Sequence, residues 1–199
     1  MLRLPANAND LGKKVKQFYF QTRPITSDML PELMDVLSDN EYVMATVTAA
    51  ELVAKFQPKV KHYCYYFTHD GRWGNLKRLL NMYHLPGVCH GDDVFYMFNS
   101  ALNATLPGDA DEVWVRQAFV RMWSNFAHRG DPTPDEGELA EGLVRWEPVE
   151  PCAGKSYFKL RCLQIDRSLK MVANPFLKRS TFWRELFRTY GYGSRKLPE

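Results

Sequence analysis

Five consecutive residues, Tyr63-Cys64-Tyr65-Tyr66-Phe67, set the narrowest limit on how this chain folds. All are large or apolar, and the segment around them, residues 59–68, hardly alternates. A strand with one wet face alternates with a period of two, so this run predicts a strand covered on both faces, as in a parallel sheet. Such a strand needs partners. Only two or three segments of the 199 residues read as convincing strands, the clearest other being Tyr157 to Ile165, which does alternate. The expected fold class is α/β, with an incomplete central sheet and flanking helices.

The helices are read from their ends. A short one around Lys13 to Phe20 precedes a turn at Pro24, and Pro31 suits the first position of another that ends near Leu37. Ser38-Asp39-Asn40-Glu41 has capping-box spacing, which predicts Ser38 as the cap of a helix running to about Lys55. Asp109 to Arg129 gives the clearest helix. Asp109, Asp111 and Glu112 favour its positive end, Gly130 stops it, and Val115, Ala118, Phe119, Met122, Trp123 and Phe126 form one apolar stripe. Thr181 to Tyr190 closes as an amphipathic helix, and the tail 191–199 is expected to be loose. Residues 69–91 contain Gly71, Gly74, Pro86, Gly87 and Gly91 and read as a long loop, a kind of segment that usually carries function.

Composition narrows the partners. The net charge of +3 is spread along the chain, and its densest basic stretch, Lys13, Lys14 and Lys16, shares its segment with Phe18, Tyr19 and Phe20 and reads as the solvated side of a half-buried segment. No nucleic-acid surface is expected. No apolar run approaches the roughly 18 residues that span a bilayer, and Met1-Leu2-Arg3-Leu4-Pro5 opens no signal-peptide core. Cys64, Cys89, Cys152 and Cys162 are too sparse for a disulfide scaffold, and Cys64 reads as a small buried apolar group. Asn103-Ala104-Thr105 would accept a glycan in a secreted protein.

Five histidines are the candidates for chemistry. His62, Cys64 and His69 cluster along the aromatic strand, but their spacing matches no zinc pattern and reads as polar strand-end residues. His128 sits near a helix C-terminus, where the dipole favours a charged imidazole without any ligand. His90 differs. It stands in Gly87-Val88-Cys89-His90-Gly91-Asp92-Asp93, where flanking glycines allow a sharp turn and leave the ring unobstructed. Two carboxylates follow directly, placed to hold its charged form or a supporting network. Cys89 as nucleophile is disfavoured, since sequence neighbours seldom point at each other. Nothing in the pattern calls for a cofactor or a metal.

The run from Gly87 to Phe98 resembles the segment around the catalytic histidine of the type-B carboxylesterase and cholinesterase family, most of all its insect α-esterase branch. Ser38-Asp39 resembles that family's lead-in to a helix. Trp123 to Pro132 resembles its W-x-N-F-A-x-x-G-[ND]-P block, and Trp146-Glu147-Pro148-Val149 and Phe182-Trp183 resemble its last landmarks. The resemblance implies that residues 1–190 form the C-terminal portion of an α/β-hydrolase domain acting on small carboxylic esters. It makes His90 the general base of a Ser-Glu-His triad and Asp93 an acidic residue that steadies the network beside it. The disulfide that cholinesterases carry between the helix of residues 40–55 and the segment before Phe182 is absent, because neither Met44 nor residues 173–181 supply a cysteine. That leans toward an intracellular esterase.

The same resemblance says what is missing. In an α/β-hydrolase the triad runs nucleophile, acid, histidine along the chain, with the serine in a G-x-S-x-G elbow. None of the eight serines has that context. The nucleophile, the acid and the oxyanion-hole glycines all belong upstream of His90, as a truncation would leave them, so the chain alone is expected to be inactive and to need the missing N-terminal half. Two alternatives stay open. One is a non-catalytic, cholinesterase-like interaction module, and the other a self-sufficient small α/β domain.

Overall fold

The computed structural model describes residues 8–101, 106–134, 142–152 and 158–190. In chain order the elements are α1 (Ala8–Tyr19), α2 (Leu30–Ser38), α3 (Met44–Phe56), β1 (Cys64–Phe67), α4 (Asn75–Leu79), α5 (Val94–Met97), α6 (Ala110–Arg129), β2 (Arg161–Ile165), β3 (Leu169–Ala173) and α7 (Leu177–Tyr190). They group into two compact units, residues 1–51 with 176–199, and residues 52–175. The tail 191–199, Asn103 and Tyr157 lie outside the described residues.

The first unit is helical. Tyr19, Phe20, Met29, Met44, Trp183 and Leu186 form its core. Phe182 stacks on Phe18 with ring centroids 4.0 Å apart, while Lys13, Lys14 and Lys16 face solvent as their spacing predicted. The capping box expected at Ser38 is not formed. Ser38 is itself helical (φ −60°, ψ −42°) and its side chain caps nothing. The chain instead runs from α2 to α3 through a widened π turn, Asp39–Val43. The physical cause is Asp39, which is fully buried. Its carboxylate accepts the Tyr19 hydroxyl at 2.5 Å and pairs with Arg179 Nε at 3.1 Å, and Trp183 Nε1 donates to the same Tyr19 oxygen at 2.6 Å. An interior acceptor has taken the residue that a helix start would have left at the surface.

The second unit holds the sheet, in the order β1-β2-β3. β1 and β2 are parallel, with Cys64 opposite Cys162 and Phe67 opposite Ile165. β2 and β3 are antiparallel, joined by the short turn Asp166-Arg167-Ser168. Both faces of β1 carry buried side chains, Cys64 on one and Phe67 on the other, while Tyr65 stays partly exposed. α6 lays Val115, Ala118, Phe119 and Met122 into the core with Phe67, Trp146, Leu163 and Ile165. Its N-terminus is closed by a full capping box, Asp109 accepting from the Glu112 amide at 3.0 Å and Glu112 accepting from the Asp109 amide at 3.0 Å. Gly130 ends it in the left-handed region (φ 67°). Phe126, counted in the apolar stripe, is exposed. Among the described residues no helix is long and apolar enough to cross a membrane.

Candidate functional site

The segment that carries His90 follows β1 in the chain and is tied back to that strand through Tyr65 and Asp93. Residues 69–91 are not one continuous loop, because Asn75–Leu79 forms a short helix, α4, with Asn75 and Lys77 on its buried side. Lys77 gives the helix its purpose. Its Nζ reaches Asp70 Oδ1 at 2.6 Å and the Gly87 carbonyl at 2.7 Å. The second oxygen of Asp70 accepts the Gly87 amide at 2.9 Å. One ion pair therefore grips the Gly87 peptide from both sides. Lys77 is almost entirely shielded from water (side chain 9% exposed), which strengthens the pair relative to a surface one.

Beyond that clasp the backbone turns twice through conformations that favour glycine, at Gly87 (φ 89°) and Gly91 (φ 90°). His90 sits between them and is exposed. The turn is pinned from its far side by Asp92, only 1% exposed, whose Oδ2 accepts the Cys89 amide at 2.8 Å while its own amide donates to the Cys89 carbonyl at 3.1 Å. Asp93 opens α5 and accepts the Tyr65 hydroxyl at 2.5 Å. The two neighbouring carboxylates thus have separate tasks, one fastening the turn to itself and one fastening it to β1. Burial, then the adjacent Asp93 carboxylate, hold the Tyr65 hydroxyl protonated well above the usual phenol range.

Burial also pushes the Asp92 carboxyl above the ordinary carboxylate range, against the pull of the Cys89 and Leu76 amides and of Lys77. A raised value means that the folded chain holds this proton more tightly than the unfolded chain. Asp92 therefore adds stability as pH falls from above its folded value toward the ordinary carboxylate value, and withdraws it as pH rises. Asp92→Asn removes that titration. The difference in urea-unfolding free energy between wild type and Asp92→Asn is expected to move in favour of wild type on acidification from roughly pH 7 to about pH 4. A flat difference, or one of the opposite sign, would contradict the buried assignment.

A second polar cluster lies at the carboxyl ends of β1 and β2. His69 is buried, with Nδ1 3.3 Å from Asp166 Oδ1. Thr68 Oγ1 donates to Asp166 Oδ2 at 3.2 Å, and Gln164 Nε2 donates to Thr68 Oγ1 at 3.2 Å. His69 also lines a cavity of about 780 Å³ whose other walls include Lys77, Glu112 and Arg167. Among the described residues no three His, Cys, Asp or Glu side chains come together as a metal site.

The sequence pattern singles out His90 and Asp93 as candidates. It missed Tyr65, Asp70 and Lys77, whose partners lie 28, 17 and 10 residues away. For Asp70 and Lys77 the signal was the density of polar residues in a glycine-rich stretch; Tyr65 lies in the aromatic strand, where nothing marks one tyrosine above the next.

Comparison with known proteins gives a consistent answer. The profile of the carboxylesterase family matches residues 2–183. Venom carboxylesterase-6 of Apis mellifera is 25% identical over 179 residues, which is 88% of this chain and 30% of that protein. Acetylcholinesterase of Leptinotarsa decemlineata is 32% identical over 105 residues, covering 51% of this chain and 15% of that protein. Esterase E4 of Myzus persicae is 23% identical over 140 residues, 69% and 24% respectively. The chain thus spans less than a third of the length of these relatives.

Proposed function

The chain belongs to the carboxylesterase family, and on that premise we propose that His90 is the general base of a Ser-Glu-His ester hydrolase whose serine and acid lie outside these 199 residues. The observation that carries this reading is an exposed imidazole on a turn fixed at Gly87, Cys89 and Asp93 and tied through the Tyr65 hydroxyl to a strand of a parallel pair. In open α/β sheets the carboxyl ends of the strands are where ligands are met. The partial α/β-hydrolase fold supports it further. β1 stands at the margin of its sheet with one hydrogen-bonded neighbour among the described residues, and a strand from upstream sequence would complete it.

The chemistry follows from what an imidazole can do near neutral pH. A serine hydroxyl attacks the ester carbonyl while His90 takes its proton; the same proton then goes to the departing alcohol. Water repeats the sequence to release the acid. The carboxylate from upstream orients the ring, and backbone amides from upstream stabilise the oxyanion, a contribution of roughly 2.7–4 kcal/mol per donor. Asp93 and Tyr65 act by holding the turn. The ester itself is selected by acyl and alcohol pockets built upstream of His90.

Without nucleophile and oxyanion hole, His90 has no serine hydroxyl to deprotonate and no oxyanion donors beside it. The purified 199-residue chain is therefore expected to hydrolyse a small chromogenic ester no faster than free imidazole at equal concentration. Turnover above that level which disappears in His90→Ala would mean that the nucleophile is within these residues, and would overturn the division proposed here.

A further inference from the structure

The parallel register sets Cys64 of β1 opposite Cys162 of β2, and their sulfurs lie 3.0 Å apart. We propose that these two thiols are a latent disulfide, an oxidation site that locks β1 to β2 and is independent of the hydrolase reading. Neighbouring strands run about 4.8 Å apart, inside the Cα separation of roughly 4.4–6.8 Å that a disulfide spans. The sulfurs need approach by only about 1 Å more to reach bonding distance. Both side chains are enclosed, Cys64 at 8% and Cys162 at 1% exposure, so no other thiol competes for either sulfur. Cys89 and Cys152 are only half-buried.

The pair is also chemically unequal. The S–H that Cys162 directs at Cys64 draws the Cys64 thiol down toward ionisation, while the same contact and burial push Cys162 up. Cys64, which accepts this contact and is the more exposed of the two at 8% against 1%, is the sulfur that peroxide reaches first, and Cys162 the thiol that resolves it. With hydrogen peroxide as oxidant, the Cys64 thiolate takes one oxygen to become a sulfenic acid and releases hydroxide. Cys162 sulfur then attacks the Cys64 sulfur, the S–S bond forms, and the sulfenic oxygen leaves as water. Two thiols lose two electrons and two protons, and one peroxide becomes two waters.

The bond would join residues 98 positions apart, and β1 is the strand from whose end the His90 turn departs. Oxidation would therefore fasten that strand to its neighbour without touching the turn itself. Reduction by a small thiol would be slow, because neither sulfur is open to a bulky attacker.

The experiment uses the full chain, reduced and then treated with hydrogen peroxide, alkylated, digested with trypsin and mapped by mass spectrometry under non-reducing conditions. The expected product joins peptide 62–72 to peptide 162–167, disappears on treatment with a phosphine reductant, and exceeds any other cysteine pairing by on the order of tenfold or more. The same oxidation in concentrated urea is expected to lose that preference. Recovery of Cys64 and Cys162 as alkylated thiols after Cys89 and Cys152 have been oxidised would overturn the proposal. So would a bridge that includes Cys89 or Cys152. In Cys162→Ala the partner sulfur is gone, and after the same oxidation Cys64 is expected in no disulfide at all. If that variant does not fold, the wild-type map decides alone.

Discussion

Phe119→Ala is expected to lower the unfolding free energy by about 3–5 kcal/mol, a large part of what a domain of ordinary stability possesses. Phe119 is 1% exposed. Its ring stacks on Trp123 at 3.9 Å and meets the edges of Tyr65 and Phe67 at 6.0 Å each. With Trp123, whose ring meets Tyr65 at 4.9 Å, it is how α6 supports β1. Removing it loses the transfer energy of the ring and leaves a hole that three aromatic neighbours, each held elsewhere, are poorly placed to fill. Phe126→Ala is the internal comparison. That ring lies on the same predicted stripe seven residues on, but it is 47% exposed and meets the edge of Tyr63 at 5.8 Å, so its loss is expected to cost about 1 kcal/mol or less. Urea melts with an unchanged slope and two well-separated midpoints are the expected result. Equal midpoints would mean that the buried face of α6 is assigned wrongly.

The comparison of those two rings shows how far the sequence could be read. Periodicity placed both on the inward stripe, and the ends of α6 were legible because Asp109, Glu112 and Gly130 satisfy or stop the helix through contacts within four residues. Periodicity does not say where a covering layer ends, so Phe126 was counted with the core. The parallel character of β1 was legible for a similar reason, since a strand shielded on both faces cannot alternate. β3 was not singled out. Its five residues are flanked by a turn and by Asn174, which is in the left-handed region (φ 47°), and short strands of mixed burial carry little pattern.

Long-range polar contacts were invisible. Ser38 and Glu41 have the spacing of a helix cap, yet Asp39 between them is held by Tyr19 and Arg179, 20 and 140 positions away. The candidate site divides in the same way. His90 and Asp93 are candidates because they stand in one contiguous motif. The clasp that fixes their turn was not legible, because Asp70 and Lys77 meet Gly87 only after α4 has folded, and a five-residue helix inside a glycine-rich stretch has too few turns to announce itself.

The larger prediction concerns chemistry. In a longer polypeptide that contains these residues and hydrolyses esters, His90→Ala is expected to reduce kcat/KM on the order of 10⁴-fold or more, because nucleophile and base act as a unit and fail together. Tyr65→Phe, which leaves Asp93 without its hydroxyl donor, is expected to cost far less, about tenfold, since it loosens the turn by one hydrogen bond. The effect of His90→Ala should appear in kcat rather than KM, as the imidazole moves a proton in the transition state and adds little to ground-state binding.

The most direct measurement is therefore the steady-state hydrolysis of one small carboxylic ester by that longer polypeptide, wild type against His90→Ala, with folding of both checked by their urea midpoints. Loss of nearly all turnover with an unchanged midpoint is the result predicted for a general base on a fixed turn. Hydrolysis at the wild-type rate by the folded alanine variant would contradict it.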